Sequence, residues 1–207
     1  MKMNEFDFVE DDQRLVQGSP EWLEMRKKMI TATDATVIMG VNPWRSLEDI
    51  WKEKLGVGGL QEETHAMRRG KELEEHARKK LEEITFFKFY PRVVFHKTIP
   101  YMMASLDGIT LDETSVCEIK CPGKKDHETA KMGDVPEKYY PQIQHILEVT
   151  GLTVLHYFSY RSDDDYAILE IPRDQDYIDI MLEQEKKFWW HVENLENPKQ
   201  TQMINCV

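Results

Sequence analysis

The chain has 207 residues, of which 41% are hydrophobic, with a formal net charge of −11 and three cysteines. That length and apolar content suit one domain with a real core, and no run approaches the roughly 18 consecutive apolar residues of a membrane span, so a soluble, cytoplasmic protein with no membrane partner is expected. An odd cysteine count without C-x-x-C excludes a disulfide framework and a four-ligand zinc site, and the net acidity argues against a simple polyanion binder.

The first 18 residues are acidic and lack an apolar signal core, so residues 1–18 read as an arm or tail. Bases cluster instead at 26–28, 68–69, 78–80 and 124–125, leaving local positive patches within an acidic whole. Ser19-Pro20-Glu21 reads as N-cap, first helical position and dipole-matched acid, opening a helix that ends near Met29. Thr31 or Thr33 then caps a short apolar helix stopped by Gly40, "NPW" (42–44) makes a turn, and Ser46 with Asp49 resembles a capping box. The spacing predicts a longer helix over about 64–84.

From Phe86 the aromatic and β-branched texture predicts short strands broken at Pro91 and Pro100, then a "DETS" turn and a strand "VCEIKC" (116–121). A helix opens after Pro136 and stops at Gly151; two strands follow, and an amphipathic helix begins near Asp176. Its Ile178, Met181, Leu182, Phe188 and Trp189 recur at helical spacing and read as core or interface. The single domain is expected over 19–195, with a tail at 196–207.

Alternation along "VCEIKC" puts Glu118 and Lys120 on one face and Cys117, Ile119 and Cys121 on the other. Folding that strand back on "MMASLDG" brings Asp107 to the same end of a hairpin. Two converging carboxylates suit a hard divalent cation such as Mg²⁺, and a lysine beside them can orient a water or steady a phosphoryl oxygen. A solvent-facing Glu–Lys pair on a strand edge is the plain alternative.

Asp107 followed by Glu118-Ile119-Lys120 resembles the D…ExK signature of the PD-(D/E)xK nuclease superfamily. "EWLEMRKKMITATD" (21–34), "RGKELEEHA" (69–77), "SLDG", "EIKCP" and "YYPQIQHILEVTG" together, in that order, resemble the lambda-type exonuclease or YqaJ-like viral recombinase family over about residues 20–160. The resemblance implies an α/β fold with a restriction-endonuclease-like core, a central mixed sheet flanked by helices. It implies Glu74, Asp107 and Glu118, with the Ile119 carbonyl, as ligands of two Mg²⁺ ions, for which Mn²⁺ can substitute, and Lys120 as the residue that positions the attacking water. Gln142 and Gln144 face roughly 200° apart on a helix, so only one reaches a site. The family pattern selects Gln142, and Gln144 is expected in solvent.

Arg26 and the Thr31–Thr33 helix start read as a pocket for a phosphate, which the resemblance makes the terminal 5′-phosphate of DNA. Trp22, Trp44 and Trp51 could stack bases, but tryptophans at helix starts more often pack, so they are left out of the site and expected to pack. By resemblance the activity is Mg²⁺-dependent 5′-to-3′ digestion of linear duplex DNA from its ends. Resemblance likewise implies a homotrimeric ring and a single-strand annealing recombinase as partner. An endonuclease of the same superfamily and a non-catalytic DNA-end-binding module are the alternatives.

Overall fold

Ser19 accepts a hydrogen bond from the Trp22 amide at 3.2 Å, and with Pro20 at the first helical position it opens α1 (Pro20–Lys27) in the computed structural model, which describes residues 15–57 and 65–198. The predicted arm thus lies largely outside the described residues, as do Thr64 and the last nine residues of the tail. A two-residue strand β1 (Ile30–Thr31) precedes α2 (Ala32–Ile38); the capping box at Ser46 and Asp49 opens α3 (Leu47–Lys54), and α4 is His65–Thr85. Then come β2 (Tyr90–Phe95), β3 (Met102–Ile109), β4 (Val116–Lys120), α5 (Lys124–Lys131), a 3-10 turn over Glu137–Tyr139, α6 (Tyr140–Thr150), β5 (Val154–Ser162), β6 (Asp165–Pro172) and α7 (Gln175–Glu193).

Two elements escape the sequence reading. β1 is too short to show a period, and α5, "KKDHETAK", buries only His127 and Ala130, so its apolar face is nearly absent. Pro91 does not break its strand; it lies within β2, which pairs with β3 alone, and an edge strand tolerates a missing N–H. No described helix is long and apolar enough to cross a membrane.

The sheet is mixed. β1 pairs parallel with β3, β2 and β4 antiparallel with β3, β5 parallel with β4, and β6 antiparallel with β5. Met103 pairs with both Thr31 and Phe95, and Ile109 with both Val116 and Tyr90. β1 and β4 therefore share the edge of β3 opposite β2, one at each end, and part between them. Leu106, Val116, Leu155 and Tyr157 pack under Ile143, Ile146 and Leu147 of α6. Cys117, Ile119 and Phe158 pack on the other face against Ala77 and Leu81 of α4. α2, α3 and α7 close a further cluster around Ile30, Ile50 and Phe188, with Trp189 against it, while Ile178, Met181 and Leu182 of α7 pack with Ala35 of α2; together these account for the periodic apolar residues of α7.

Between Tyr90↔Ile109 and Arg92↔Leu106, β2 advances by two residues while β3 advances by three. The extra residue falls at Asp107–Gly108, where it interrupts the alternation of β3 and re-aims the side chains there, a common device beside functional sites. Gly108 is required by packing: a Cβ there would stand 2.5 Å from Phe89 Cβ and 2.9 Å from Cys117 Sγ. Gly108→Ala should therefore destabilise the fold by about 1–3 kcal/mol, the usual cost of overpacking. Urea unfolding is the check, and a wild-type midpoint would count against this packing.

Candidate active site

Because Cys117 and Ile119 take the α4 face, Glu118 and Lys120 turn toward α6, as alternation predicts. Glu118 is almost fully buried, and its Oε1 accepts from Lys120 Nζ at 2.6 Å and from Gln142 Nε2 at 2.7 Å. The Ile119 N–H donates to Asp107 Oδ2 at 2.8 Å where β3 and β4 separate, so a carboxylate takes the place of a ladder acceptor and bridges the strands. The structure thus brings Asp107, Glu118, Ile119, Lys120 and Gln142 together. Lys120 also lies 5.1 Å from the ring centroid of Tyr139, a neighbour that the sequence reading passed over.

The electrostatics follow from crowding. Burial first, then the Glu118 carboxylate, raises Asp107 well above the usual carboxylate range, and Glu74 adds to it. Burial likewise raises Glu118, against the lowering effect of Lys120. Burial alone would lower Lys120; Glu118 and Asp107 outweigh it and hold the ammonium charged to higher pH than usual. Glu74, on α4, acts on both carboxylates through its charge while its own oxygen accepts from Arg78 at 2.8 Å.

These groups fit a hard divalent cation. Glu118 Oε2 is buried with no hydrogen-bond partner among the described residues, and two buried carboxylates that each raise the other's cost of ionisation gain from a counter-charge. Among the described residues no three His, Cys, Asp or Glu side chains are grouped so as to hold a metal ion by themselves. The carboxylate oxygens on offer are those of Asp107 and Glu118, and Glu74 of α4 acts on both through its charge.

A second constellation lies at α1 and α2. The Arg26 guanidinium donates to Thr33 Oγ1 at 3.1 Å, sits 4.7 Å from the Trp22 ring centroid, and Thr33 Oγ1 is 3.0 Å from Thr31 Oγ1. Thr31, not Thr33, is the N-cap of α2. Its amide donates to Asp34 Oδ2 at 2.9 Å as half of a capping box, and the constellation offers an arginine fork and two hydroxyls. Beneath it Lys54 Nζ donates to Asp34 Oδ2 at 2.6 Å and to the Arg26 carbonyl at 2.8 Å, both side chains fully buried. Burial would raise Asp34, but Lys54 and then Arg26 prevail and hold it at about 2.

Two expectations change. Gln144 is fully buried rather than solvated: it donates to the Pro172 carbonyl at 3.0 Å and accepts from the Asp174 amide at 2.9 Å, fixing α6 to the start of α7. Trp22 and Trp51 pack as expected, with Trp22 Nε1 donating to Ser105 Oγ and Trp51 Nε1 to the His191 carbonyl. Trp44 does not pack; it is 66% exposed. Lys54 had no local signal, since its partners are 20 and 28 residues away, whereas the i, i+4 spacing of Trp22 and Arg26 was legible as one helix face.

This fold, a mixed sheet flanked by helices with D…ExK where β3 and β4 part, is that of the lambda-exonuclease-like nucleases. The model of the YqaJ-like viral recombinase domain matches residues 21–153, and the chain belongs to that family. Two crystal structures of the alkaline exonuclease LHK-Exo from Laribacter hongkongensis, one in complex with dAMP, each match with 30% identity and a TM-score of 0.74, covering 85% of this chain and 93% of that one. A phage-related exonuclease from Haemophilus somnus 129PT, 16% identical with a TM-score of 0.61 over 81% of this chain and 94% of its own, shares the fold. The protein YqaJ of Bacillus subtilis strain 168 is 28% identical over 174 residues, 82% of this chain; the match spans only 54% of that relative's length.

Asp34 supplies a test of the scaffold under the arginine pocket. Its folded pKa, about 2, lies below its ordinary 3.8, so its stabilisation is complete above the unfolded value and is lost as pH falls through the folded one. That window contributes about 2 kcal/mol. Asp34→Asn should cost about 3–5 kcal/mol at neutral pH by leaving Lys54 buried without a counter-charge, and should remove this acid-side loss. Urea unfolding of both proteins across pH 5 to 2 is the measurement.

Proposed function

We propose that the chain is a metal-dependent nuclease that digests linear double-stranded DNA from its 5′ ends, leaving 3′ single strands for recombination by annealing. The observation that carries the reading is the meeting of Asp107, Glu118, Lys120 and Gln142 at the parting of β3 and β4, in a chain whose family and solved relatives are exonucleases or recombinase domains by name. That LHK-Exo has been solved with a mononucleotide accords with stepwise release of nucleotides.

In this reading Asp107, Glu118 and the Ile119 carbonyl, with Glu74, would hold Mg²⁺. When bound, such ions lower the pKa of water and neutralise charge on phosphate oxygens. The protein's own groups do the rest. Gln142 and Lys120 fix one oxygen of Glu118, so its position does not drift when substrate enters. The Lys120 ammonium, kept protonated by its carboxylate neighbours, donates to an attacking water or to a phosphate oxygen, where negative charge grows in the transition state. The fork of Arg26, with Thr31 and Thr33, receives the terminal 5′-phosphate, whose charge exceeds that of an internal diester. The homotrimeric ring and the annealing partner belong to the same proposal and rest on family resemblance.

Asp107→Ala, Glu118→Ala and Lys120→Ala should each lower Mg²⁺-dependent digestion of a linear duplex at least about a hundredfold, and a double variant should be little worse than a single, because the groups act as a unit. Wild-type turnover by any of them removes that residue from the site. Digestion of a closed circular duplex would turn the reading toward an endonuclease.

Arg26→Ala should lower use of 5′-phosphorylated ends by roughly ten- to a hundredfold, with a smaller effect on 5′-hydroxyl ends, and Arg26→Lys should restore only part. The comparison is digestion of one duplex with and without its phosphate. An unchanged preference ratio in Arg26→Ala would show that Arg26 does not read the end.

A further inference from the structure

Trp44 stands at the top of the turn after α2, held by a local network. Its amide and that of Arg45 both donate to Asn42 Oδ1, at 2.9 and 3.0 Å, and Asn42 Nδ2 donates to Thr36 Oγ1 of α2 at 2.9 Å. Arg45 pairs with Glu53 of α3. The turn is therefore braced at both ends, yet it presents a tryptophan 66% exposed, among the polar neighbours Asn42, Arg45 and Ser46. The braced turn thus holds a flat aromatic face in water at a fixed position, open to a planar partner.

What surrounds the ring narrows the choice. Lys138 Nζ lies 4.7 Å from the Trp44 centroid and 5.1 Å from that of Tyr139, and Lys120 Nζ lies 5.1 Å from the Tyr139 ring. Lys138 is itself fixed by Asp126 at 2.6 Å. Cations and aromatic rings thus alternate from the exposed indole to the lysine of the D…ExK site. The same turn continues α2, whose start carries Thr31 and Thr33. A flat π-face backed by an ammonium and leading to the proposed phosphodiester site matches a nucleotide: the ring takes a base, and its phosphate lies toward Lys120.

We propose that Trp44 is a stacking platform for a nucleobase of the DNA end engaged by the site, with Lys138 holding the indole from the protein side. The proposal rests on the nuclease reading given above. Stacking is indifferent to base identity, since every base has a π-face, so the platform grips any sequence while the end advances.

The test is binding of an end-labelled duplex, read by fluorescence anisotropy in EDTA so that no digestion proceeds, for proteins that melt at the wild-type temperature. Trp44→Ala should weaken binding roughly five- to a hundredfold, Trp44→Phe should recover most of it, and Trp44→Leu, apolar but unable to stack, should stay near alanine. On a duplex whose terminal nucleotides are abasic, wild type should fall to the level of Trp44→Ala and the substitution should cost nothing more. In digestion, the variant's loss should fall on KM more than on kcat. Equal binding by wild type and Trp44→Ala, full recovery by leucine, or an undiminished loss on abasic ends would overturn the platform. If wild type neither binds nor digests duplex DNA, the nuclease reading fails and the platform with it; digestion by wild type with no effect at Trp44 removes the platform alone.

Discussion

The register shift at Asp107–Gly108 is the constraint from which the site follows. One extra residue in β3 turns Asp107 toward β4 at the point where the two strands cease to pair, and its carboxylate accepts the Ile119 amide that the ladder leaves over. That bond bridges β3 and β4 where their ladder stops, at one end of a gap along β3 whose other end is β1. Gly108 suits this position, since the side chains of Phe89 and Cys117 come too close for a Cβ. A carboxylate that is both a structural acceptor and a site group cannot move far, which keeps the spacing of the acids set by the sheet and not by rotamers.

Around this gap the protein concentrates charge where burial is costly. Glu118 is sunk against α6, its one satisfied oxygen shared by Lys120 and Gln142 and the other left without a partner among the described residues. Such an arrangement disfavours the fully ionised site and favours any bound positive charge. The Asp34–Lys54 pair differs in charge balance: one acid faces one base, both fully buried and each with further hydrogen bonds, although Asp34 Oδ1, like Glu118 Oε2, has no partner among the described residues. There the charges satisfy each other, and the pair ties α1, α2 and α3 into a base beneath Arg26.

α6 links these regions. Gln142 reaches Glu118, while three residues later His145 sits between the Met103 carbonyl at 3.0 Å and Glu185 at 2.8 Å, both acceptors; burial, the largest single effect, lowers its pKa, but Glu185, the Met103 carbonyl and Asp34 together leave it raised. With Gln144 bound to the backbone around Pro172 and Asp174, the helix is fastened to β3, α7 and the end of β6, so the carboxamide that steadies Glu118 is itself held. The acidic surface total of the chain is thus compatible with local sites for phosphate, because each cation that matters is placed by a specific partner and not by the sum.

The sequence by itself determined the helices with strong caps, the alternation that puts Glu118 and Lys120 on one face, and, through its ordered motifs, the family. Those features depend on near neighbours: a cap spans three residues, a strand face two, and a motif is a string. It could not show that Lys54 lies under Arg26, that Gln144 is buried, that α5 is a helix, or that Trp44 is bare while Trp22 and Trp51 pack. Each of these turns on groups far apart in the chain, and local pattern carries no record of which distant surface arrives to cover a residue. Only the tertiary structure decided the shift at Asp107 as well, because a bulge is a property of two strands laid side by side and has no length of its own in either one.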